Sequence, residues 1–203
     1  MKLYYKPGAC SLASHIILHE TNSNFEIESV DTTTKKTDSG GDFNQINPNG
    51  YVPALQFEND EVLTEGAAIM QFLADQNQES NLAPAVGTLA RARMQEHLNY
   101  TSSELHKAFG PLFSANASDD AKKDAKVNVI NKLNYVEKIL SDGRLHLLGD
   151  AFSVADSYLF VVMNWANFVG IELANFPHIS TYMARISTRP AVQKAMQAEG
   201  LLN

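Results

Sequence analysis

The sequence predicts a small α/β domain followed by an all-helical one. Three observations predict it. Short β-like runs alternate with helical patterns up to about residue 80. A polar stretch from 78 to 87, holding Pro84 and Gly87, then interrupts the pattern. Beyond it nothing reads as a strand over any length, and apolar residues recur at helical spacing. The division is therefore 1–80, a linker at 81–87, and 88–203.

Leu3-Tyr4-Tyr5 is a short strand, ended at once by Pro7-Gly8. From Cys10 to Glu20 a helix is set by Leu12, Ile16 and Ile17, before the polar break at Thr21 to Asn24. Phe25 to Val30 alternates apolar and acidic residues, as a half-buried strand does. Lys35 to Gly41 is polar with paired glycines and reads as a loop. Asn47-Pro48-Asn49-Gly50 is a strong turn signal, and a strand-like run follows from Val52 to Phe57. Glu58-Asn59-Asp60 turns the chain into Glu61 to Leu63. Glu65 to Asp75 is helical through Ala68, Ile69, Phe72 and Leu73. The order read from the residues is β-α-β, a loop, then β-β-α.

The second part reads as helices throughout. Thr88 to about Ser114 is one long helical stretch, with a bend expected at Gly110-Pro111. Asp119 to Leu140 is another, its apolar stripe taken as Val127, Ile130, Leu133, Val136 and Leu140. Ser153 and Asp156 form a capping box opening an apolar helix through Phe160, Met163 and Trp165. Pro177 and Pro190 mark the starts of two shorter helices.

Composition narrows the function. Apolar residues are 44% and charged residues 19% of 203, which suits a packed core and excludes a disordered tail or a collagen-like fibre. Sixteen Lys plus Arg against 23 Asp plus Glu leave a net charge of −7. Without a basic cluster, nucleic acid is excluded as a partner. No apolar run reaches the roughly 20 residues that span a bilayer, so no membrane is expected either. The opening MKLYYKPGAC lacks the apolar stretch of a signal peptide. A single cysteine forms no internal disulfide and fits a reducing, cytoplasmic setting.

That cysteine, Cys10, falls at the first turn of a helix, directly after a strand and a Pro-Gly turn. Backbone N–H groups and the helix dipole there favour an anion, and so a thiolate. At a pKa of about 8.5 only roughly 3% of a thiol ionises at pH 7; a fall to about 6.5 makes thiolate the majority. The alternative is a buried cysteine acting as a small hydrophobe. Ser11 shares the turn, as a donor to a sulfur or as a cap.

Proline at 53 inside a strand-like run belongs at an edge or turn. Were the Val52–Pro53 bond cis, the kink would leave the Val52 N–H and C=O for an added peptide strand; the alternative is an ordinary trans edge proline. Thr64-Glu65-Gly66 begins a helix, where a carboxylate and exposed N–H groups suit an amino-acid headgroup, or where Glu65 is simply a helix-start acid. Asn99, Ser103, His106 and Lys107 are spaced to share one helix face, which is either a solvated stripe or one wall of a cleft. In a cleft, His106 would move protons to a sulfur and Lys107 would supply positive charge. His15 and His19 are four apart but lack a third ligand, so no metal site is expected.

Taken in order, these features resemble a cytosolic glutathione transferase, most closely of the bacterial beta class. The resemblance runs from Lys2-Leu3-Tyr4-Tyr5, Pro7-Gly8 and Cys10-Ser11 to the closing Glu199-Gly200-Leu201. Its landmarks between are Asn47-Pro48 with Gly50, Val52-Pro53, Thr64-Glu65-Gly66, Leu105-His106-Lys107 and Phe152 to Asp156. It implies a thioredoxin-like domain of order β-α-β-α-β-β-α, an all-α C-terminal domain and a homodimer. It implies that Pro53 is cis, that Val52 pairs with the cysteinyl backbone of glutathione, and that Glu65 and Gly66 hold the γ-glutamyl headgroup. Lys35 is implied for the glycyl carboxylate, and Asn99, Ser103, His106 and Lys107 for the facing wall. Glutathione is then a co-substrate, with no separate cofactor, and the other substrates are small hydrophobic electrophiles, as in detoxification.

The resemblance also implies that Cys10 forms a mixed disulfide with glutathione, and that Tyr5 is not the catalytic tyrosine of other classes. His97 and Asn164 depart from the pattern and bear on the electrophile pocket. Two chemistries are open: conjugation of the glutathione sulfur to carbon, with Ser11 and His106 helping to activate the thiol, or thiol–disulfide exchange through Cys10. Two non-catalytic readings stand beside them. One is a binding or scaffold protein; the other is a hydrophobic-ligand carrier built on Phe109, Phe113 and Trp165.

Overall fold

A computed structural model describes residues 1–202. The chain forms two compact units. The first runs from Met1 to Ala83 and includes the C-terminal stretch from Thr188; the second is Pro84–Ser187.

In the first unit, β1 (Lys2–Tyr5) leads through a turn to α1 (Ser11–Glu20) and then β2 (Glu26–Asp31). A helix between two strands allows them to lie parallel, and they do, with Leu3 opposite Ile27. β3 (Lys36–Thr37), β4 (Ala54–Gln56) and β5 (Val62–Thr64) complete a sheet of order β3-β2-β1-β4-β5. β4 runs antiparallel to both β1 and β5, with Leu55 between Leu3 and Leu63. α2 (Gly66–Gln76) follows, and α1 packs against it.

Two details depart from the sequence reading. The stretch read as a loop holds the short edge strand β3, paired to β2 through Val30 and Thr37. The second helix of the implied order is a single 3-10 turn at Phe43–Gln45. Asp42 caps it by accepting the Asn44 N–H. Pro48 stands just beyond, and the residue before a proline avoids helical angles, so the turn cannot lengthen.

β1 is buried on both faces, which is why its apolar run does not alternate. Leu3 lies in the core with Ile16, Ile17 and Leu55, while Tyr4 joins Val30, Phe43, Val52 and Ala54 on the other side. α1 is buried from Ser11 to Leu18, a wider face than Leu12, Ile16 and Ile17 alone define. The reason is that α8 (Pro190–Ala198) packs on it as well as α2. Arg189 secures this contact with a two-armed ion pair to Glu20, at 2.7 and 3.0 Å.

The second unit is helical. α3 (Leu89–Asn99), capped by Thr88, continues through a π-helical stretch, Tyr100–Leu105, into α4 (His106–Phe113). The irregularity in this long helix is therefore at 100–105, and not at Gly110-Pro111 as the sequence suggests. Pro111 lies inside α4, where its missing N–H forgoes one helical hydrogen bond, and the helix stops at Phe113.

α5 (Asp119–Leu140) opens on Ser118, whose Oγ accepts the Ala121 N–H. Its buried stripe is Ala125, Val129, Leu133, Val136 and Leu140. Val127 and Ile130, assigned to the stripe from sequence, are 54% and 39% exposed; the small Ala125 and Val129 set its true phase. α6 (Val154–Asn164) starts with the anticipated capping box and runs into a 3-10 turn at Trp165–Phe168. α7 (Pro177–Ser187) closes the unit. Among the described residues, no helix is long and apolar enough to cross a membrane.

Candidate functional site

In the first unit the chain leaves β1 at Tyr5 and makes a tight turn, closed by the Ala9 N–H donating to Lys6 O at 3.0 Å. Gly8 takes φ +70° in this turn, a conformation that side chains with a Cβ rarely adopt. The turn delivers Cys10 to the N-terminus of α1, half-buried, where the helix dipole favours negative charge. Two of the nearby amides are engaged: Leu12 N–H donates to Ala9 O and Ala13 N–H to Cys10 O.

The Cys10 Sγ donates to Val52 O at 3.3 Å, a hydrogen bond that only the thiol form makes. Ser11 is fully buried, its Oγ accepting the Lys6 N–H at 3.2 Å and donating to Lys6 O at 3.3 Å. Its hydroxyl holds the turn that presents Cys10 and is committed to backbone.

The Val52–Pro53 peptide is cis. The sequence reading left both polar groups of Val52 available to a peptide, but its carbonyl already accepts the Cys10 S–H. A peptide added at Val52 takes that carbonyl over from the thiol.

Lys35, with φ +59°, lies beside the start of the same segment. Its Nζ donates to Gly50 O at 2.8 Å and stands 5.7 Å from the Tyr51 ring centre. Glycine suits position 50 on two counts: φ is +65°, and a Cβ there would lie 3.0 Å from Lys35 Cε, so the lysine would have to shift. At the other end of the segment, a Cβ on Gly66 would lie 3.5 Å from Pro53 Cγ, so the first turn of α2 abuts the cis proline. Glu65 caps that helix at φ +67°, a conformation that costs a non-glycine residue about 1 kcal/mol or more and concentrates at binding sites. Its exposed carboxylate has no partner among the described residues, while its carbonyl accepts the Ala68 and Ile69 N–H groups. Along residues 50–53 the chain thus meets a cation, a thiol and a helix N-terminus in that order.

In the second unit, Asn99, Ser103 and Lys107 are exposed, and Ser103 Oγ donates to Asn99 O at 2.8 Å. His106 differs. It is half-buried, its Nδ1 is 2.9 Å from Tyr158 Oη, and its ring meets Trp165 edge-on at 4.7 Å. The π-helical stretch between Asn99 and His106 holds more residues per turn than an α-helix, so the four do not keep the phase that regular spacing gives.

Burial, and then the neighbouring Lys107 charge, push the His106 pKa down to about 4. The imidazole is neutral near pH 7 and shares its Nδ1 hydrogen bond with Tyr158. Because unfolding restores the ordinary value of 6.5, the unfolded chain binds more protons between the two values. Stability therefore falls as pH drops from about 6.5 to about 4, then levels off. Melting curves of wild type and His106→Asn across this range check it: the variant's melting temperature declines less steeply.

Trp165 also packs edge-on against Phe109 and Phe113, at 5.7 and 5.6 Å, and Phe113 is half open to solvent. His97 lies in a separate groove of about 570 Å³ with Arg93, Tyr135 and Arg144, its pKa lowered by burial. Asn164 accepts the Asn167 side-chain N–H at 2.9 Å. Sequence reasoning missed Tyr158, the partner of His106, and no local pattern marks it across 52 residues.

Residues 8–76 match the family "Glutathione S-transferase, N-terminal domain" and residues 100–190 the corresponding C-terminal domain. Over 99% of this chain and all of the relative, the sequence is 44% identical to glutathione S-transferase GstA of Escherichia coli O157:H7. A sphingomonad glutathione S-transferase solved with glutathione is 50% identical over the full length of both chains, with a TM-score of 0.95. The beta-class enzyme of Sphingomonas chungbukensis is 47% identical over the same full coverage, with a TM-score of 0.97. A thioredoxin-like unit with a cysteine at its first helix, a helical unit behind it in sequence, and these full-length similarities establish that the chain belongs to the glutathione S-transferase family, in its bacterial beta class.

Proposed function

We propose that residues 50–53 form a docking strand for glutathione, and that the enzyme both conjugates glutathione to hydrophobic electrophiles and exchanges disulfides through Cys10. The observation that carries this reading is the order of contacts along the strand: Lys35 at Gly50, Cys10 at Val52, and the start of α2 at Pro53. Glutathione has the same order of groups. Its glycyl carboxylate suits Lys35, its cysteinyl peptide suits Val52 as an added strand, and its γ-glutamyl ammonium and carboxylate suit Glu65 and the α2 amides at Gly66. Asn99, Ser103, His106 and Lys107 are assigned to the same substrate, and the Phe109, Phe113 and Trp165 cluster to the electrophile. The docking strand for glutathione thus belongs to the segment 1–80 and the electrophile cluster to 88–203, in a homodimer. The lone cysteine suits the reducing cytoplasm.

In conjugation the glutathione thiol loses its proton to solvent, its sulfur bonds to the electrophilic carbon, and any leaving group departs with the bonding pair. In exchange the Cys10 thiolate attacks the glutathione sulfur of a mixed disulfide, and the released thiolate takes up a proton. A second glutathione thiolate then attacks the Cys10–glutathione bond, regenerating Cys10 and forming glutathione disulfide.

Calorimetric titration with γ-glutamyl-alanyl-glycine, which has the glutathione backbone without its sulfur, tests the docking. Lys35→Met and Glu65→Gln are each expected to weaken it about tenfold, the scale of one charge-assisted hydrogen bond. Equal binding by wild type and both variants would sink the assignment.

A further inference from the structure

We propose that the C-terminal Glu199-Gly200-Leu201 is part of the active-site frame, with Glu199 a positioning residue for Cys10. The carboxylate of Glu199 is wholly buried. One oxygen accepts the Gly8 N–H at 2.9 Å and the other shares a 2.9 Å hydrogen bond with Nδ1 of the buried His15. Both partners flank the nucleophile: Gly8 lies two residues before Cys10 in the turn, and His15 lies on the buried side of the helix that Cys10 begins. A single side chain from the end of the sequence therefore joins the turn and the helix whose junction is Cys10.

The local sequence builds this clamp. α8 ends at Ala198, and Gly200 takes φ +70°. The Gly200 N–H donates to Gln197 O and the Leu201 N–H to Met196 O, at 3.0 and 2.8 Å. These are the paired bonds of a Schellman motif, in which a left-handed residue reverses the chain after a helix. The reversal brings Leu201 against Gly8, where a Cβ would lie 3.6 Å from the Leu201 side chain. Packing from Leu201 and a hydrogen bond from Glu199 thus converge on one residue of the Cys10 turn. The left-handed glycine is an ordinary way to end a helix, but a wholly buried carboxylate is not needed at a surface terminus.

The inference rests on the reading of Cys10 as the reactive thiol, and one experiment separates the two. Cys10 is the only cysteine, so the rate of alkylation of native protein by iodoacetamide reports on it alone. Wild type is compared with Glu199→Ala, Glu199→Gln and Gly200→Val, alongside kcat and KM for glutathione in disulfide exchange. Glu199→Ala loses both bonds and is expected to slow alkylation and kcat/KM about tenfold or more, since misplacing a reacting group slightly has effects of that size. Glu199→Gln offers an acceptor to Gly8 and a partner to His15 and is expected to recover most of both rates. Gly200→Val keeps the carboxylate but disfavours the chain reversal, and is expected to fall between. Hydrogen exchange at the Gly8 amide should accelerate in the same order. Should Glu199→Ala fail to fold, Gly200→Val against Glu199→Gln carries the comparison. A folded variant with lowered melting temperature but wild-type alkylation and KM overturns the positioning role. A wild type whose Cys10 reacts no faster than a free thiol and catalyses no exchange overturns the reading of Cys10 instead.

Discussion

Replacing Cys10 by alanine is expected to abolish disulfide exchange, by about a thousandfold or more, and to leave conjugation to a chloronitroarene within a few-fold of wild type. The size of the first effect follows from the chemistry. Cys10 is the only sulfur in the chain that can form a mixed disulfide, and deleting a covalent nucleophile typically costs at least that much. The persistence of conjugation follows from the site. In the proposed site the nucleophile is the sulfur of glutathione, and the docking groups assigned to it, the Val52 backbone and the charges of Lys35 and Glu65, all survive the substitution. Cys10→Ala also frees Val52 O from its thiol partner, so docking of the tripeptide should not weaken. Assays run side by side on both reactions read the outcome. Loss of both activities together would make Cys10 a shared requirement, and loss of neither would make it a structural residue.

The largest effect on folding is expected at Asp156. Its side chain is completely buried and accepts four hydrogen bonds: from Leu147 N–H, Ser153 N–H, Ser153 Oγ and Tyr182 Oη, between 2.6 and 2.9 Å. It therefore ties the start of α6 both to the loop before it and to α7. Asp156→Ala takes the acceptor from two backbone N–H groups and two hydroxyls, those of Ser153 and Tyr182, each buried donor left unpaired costing about 1–3 kcal/mol. A net destabilisation of about 4 kcal/mol is expected, which lowers the melting temperature by roughly 10 °C in a chain of this size. Asp156→Asn keeps one acceptor oxygen and should lose about half as much. Urea unfolding of the three proteins measures this, and a change below about 1 kcal/mol for alanine would contradict the argument.

Legibility from sequence divided along a physical line. Elements set by local chemistry were readable: the Pro7-Gly8 break, the Ser153 capping box, and the helix starts at Pro177 and Pro190 act within a few residues. Elements set by what packs on them were not. β3 exists because Val30 offers a partner to Thr37, and the stripe of α5 includes Ala125, too small to stand out in a hydrophobic pattern. The long helix loses its regular phase at 100–105 without any proline there, and so the Asn99 to Lys107 spacing does not translate into one regular helix face. In the site, the residue types at Cys10, Pro53 and Glu65 signalled chemistry by position alone. Lys35 came only from the family resemblance, because nothing in a polar loop marks one lysine among several. The commitment of Ser11 to Lys6, and the reach of Glu199 to Gly8, join residues whose pairing no spacing encodes.

The central claim is that Cys10 is a reactive thiol set within a glutathione site, and weighing the intact protein tests it most directly. Native protein is incubated with glutathione disulfide, its mass is recorded, and reduced glutathione is then added. One glutathionyl adduct is expected, located at Cys10, forming much faster than on a denatured control and removed by reduced glutathione. An adduct that forms only when the protein is unfolded would contradict that claim, because Cys10 would then be a buried structural cysteine.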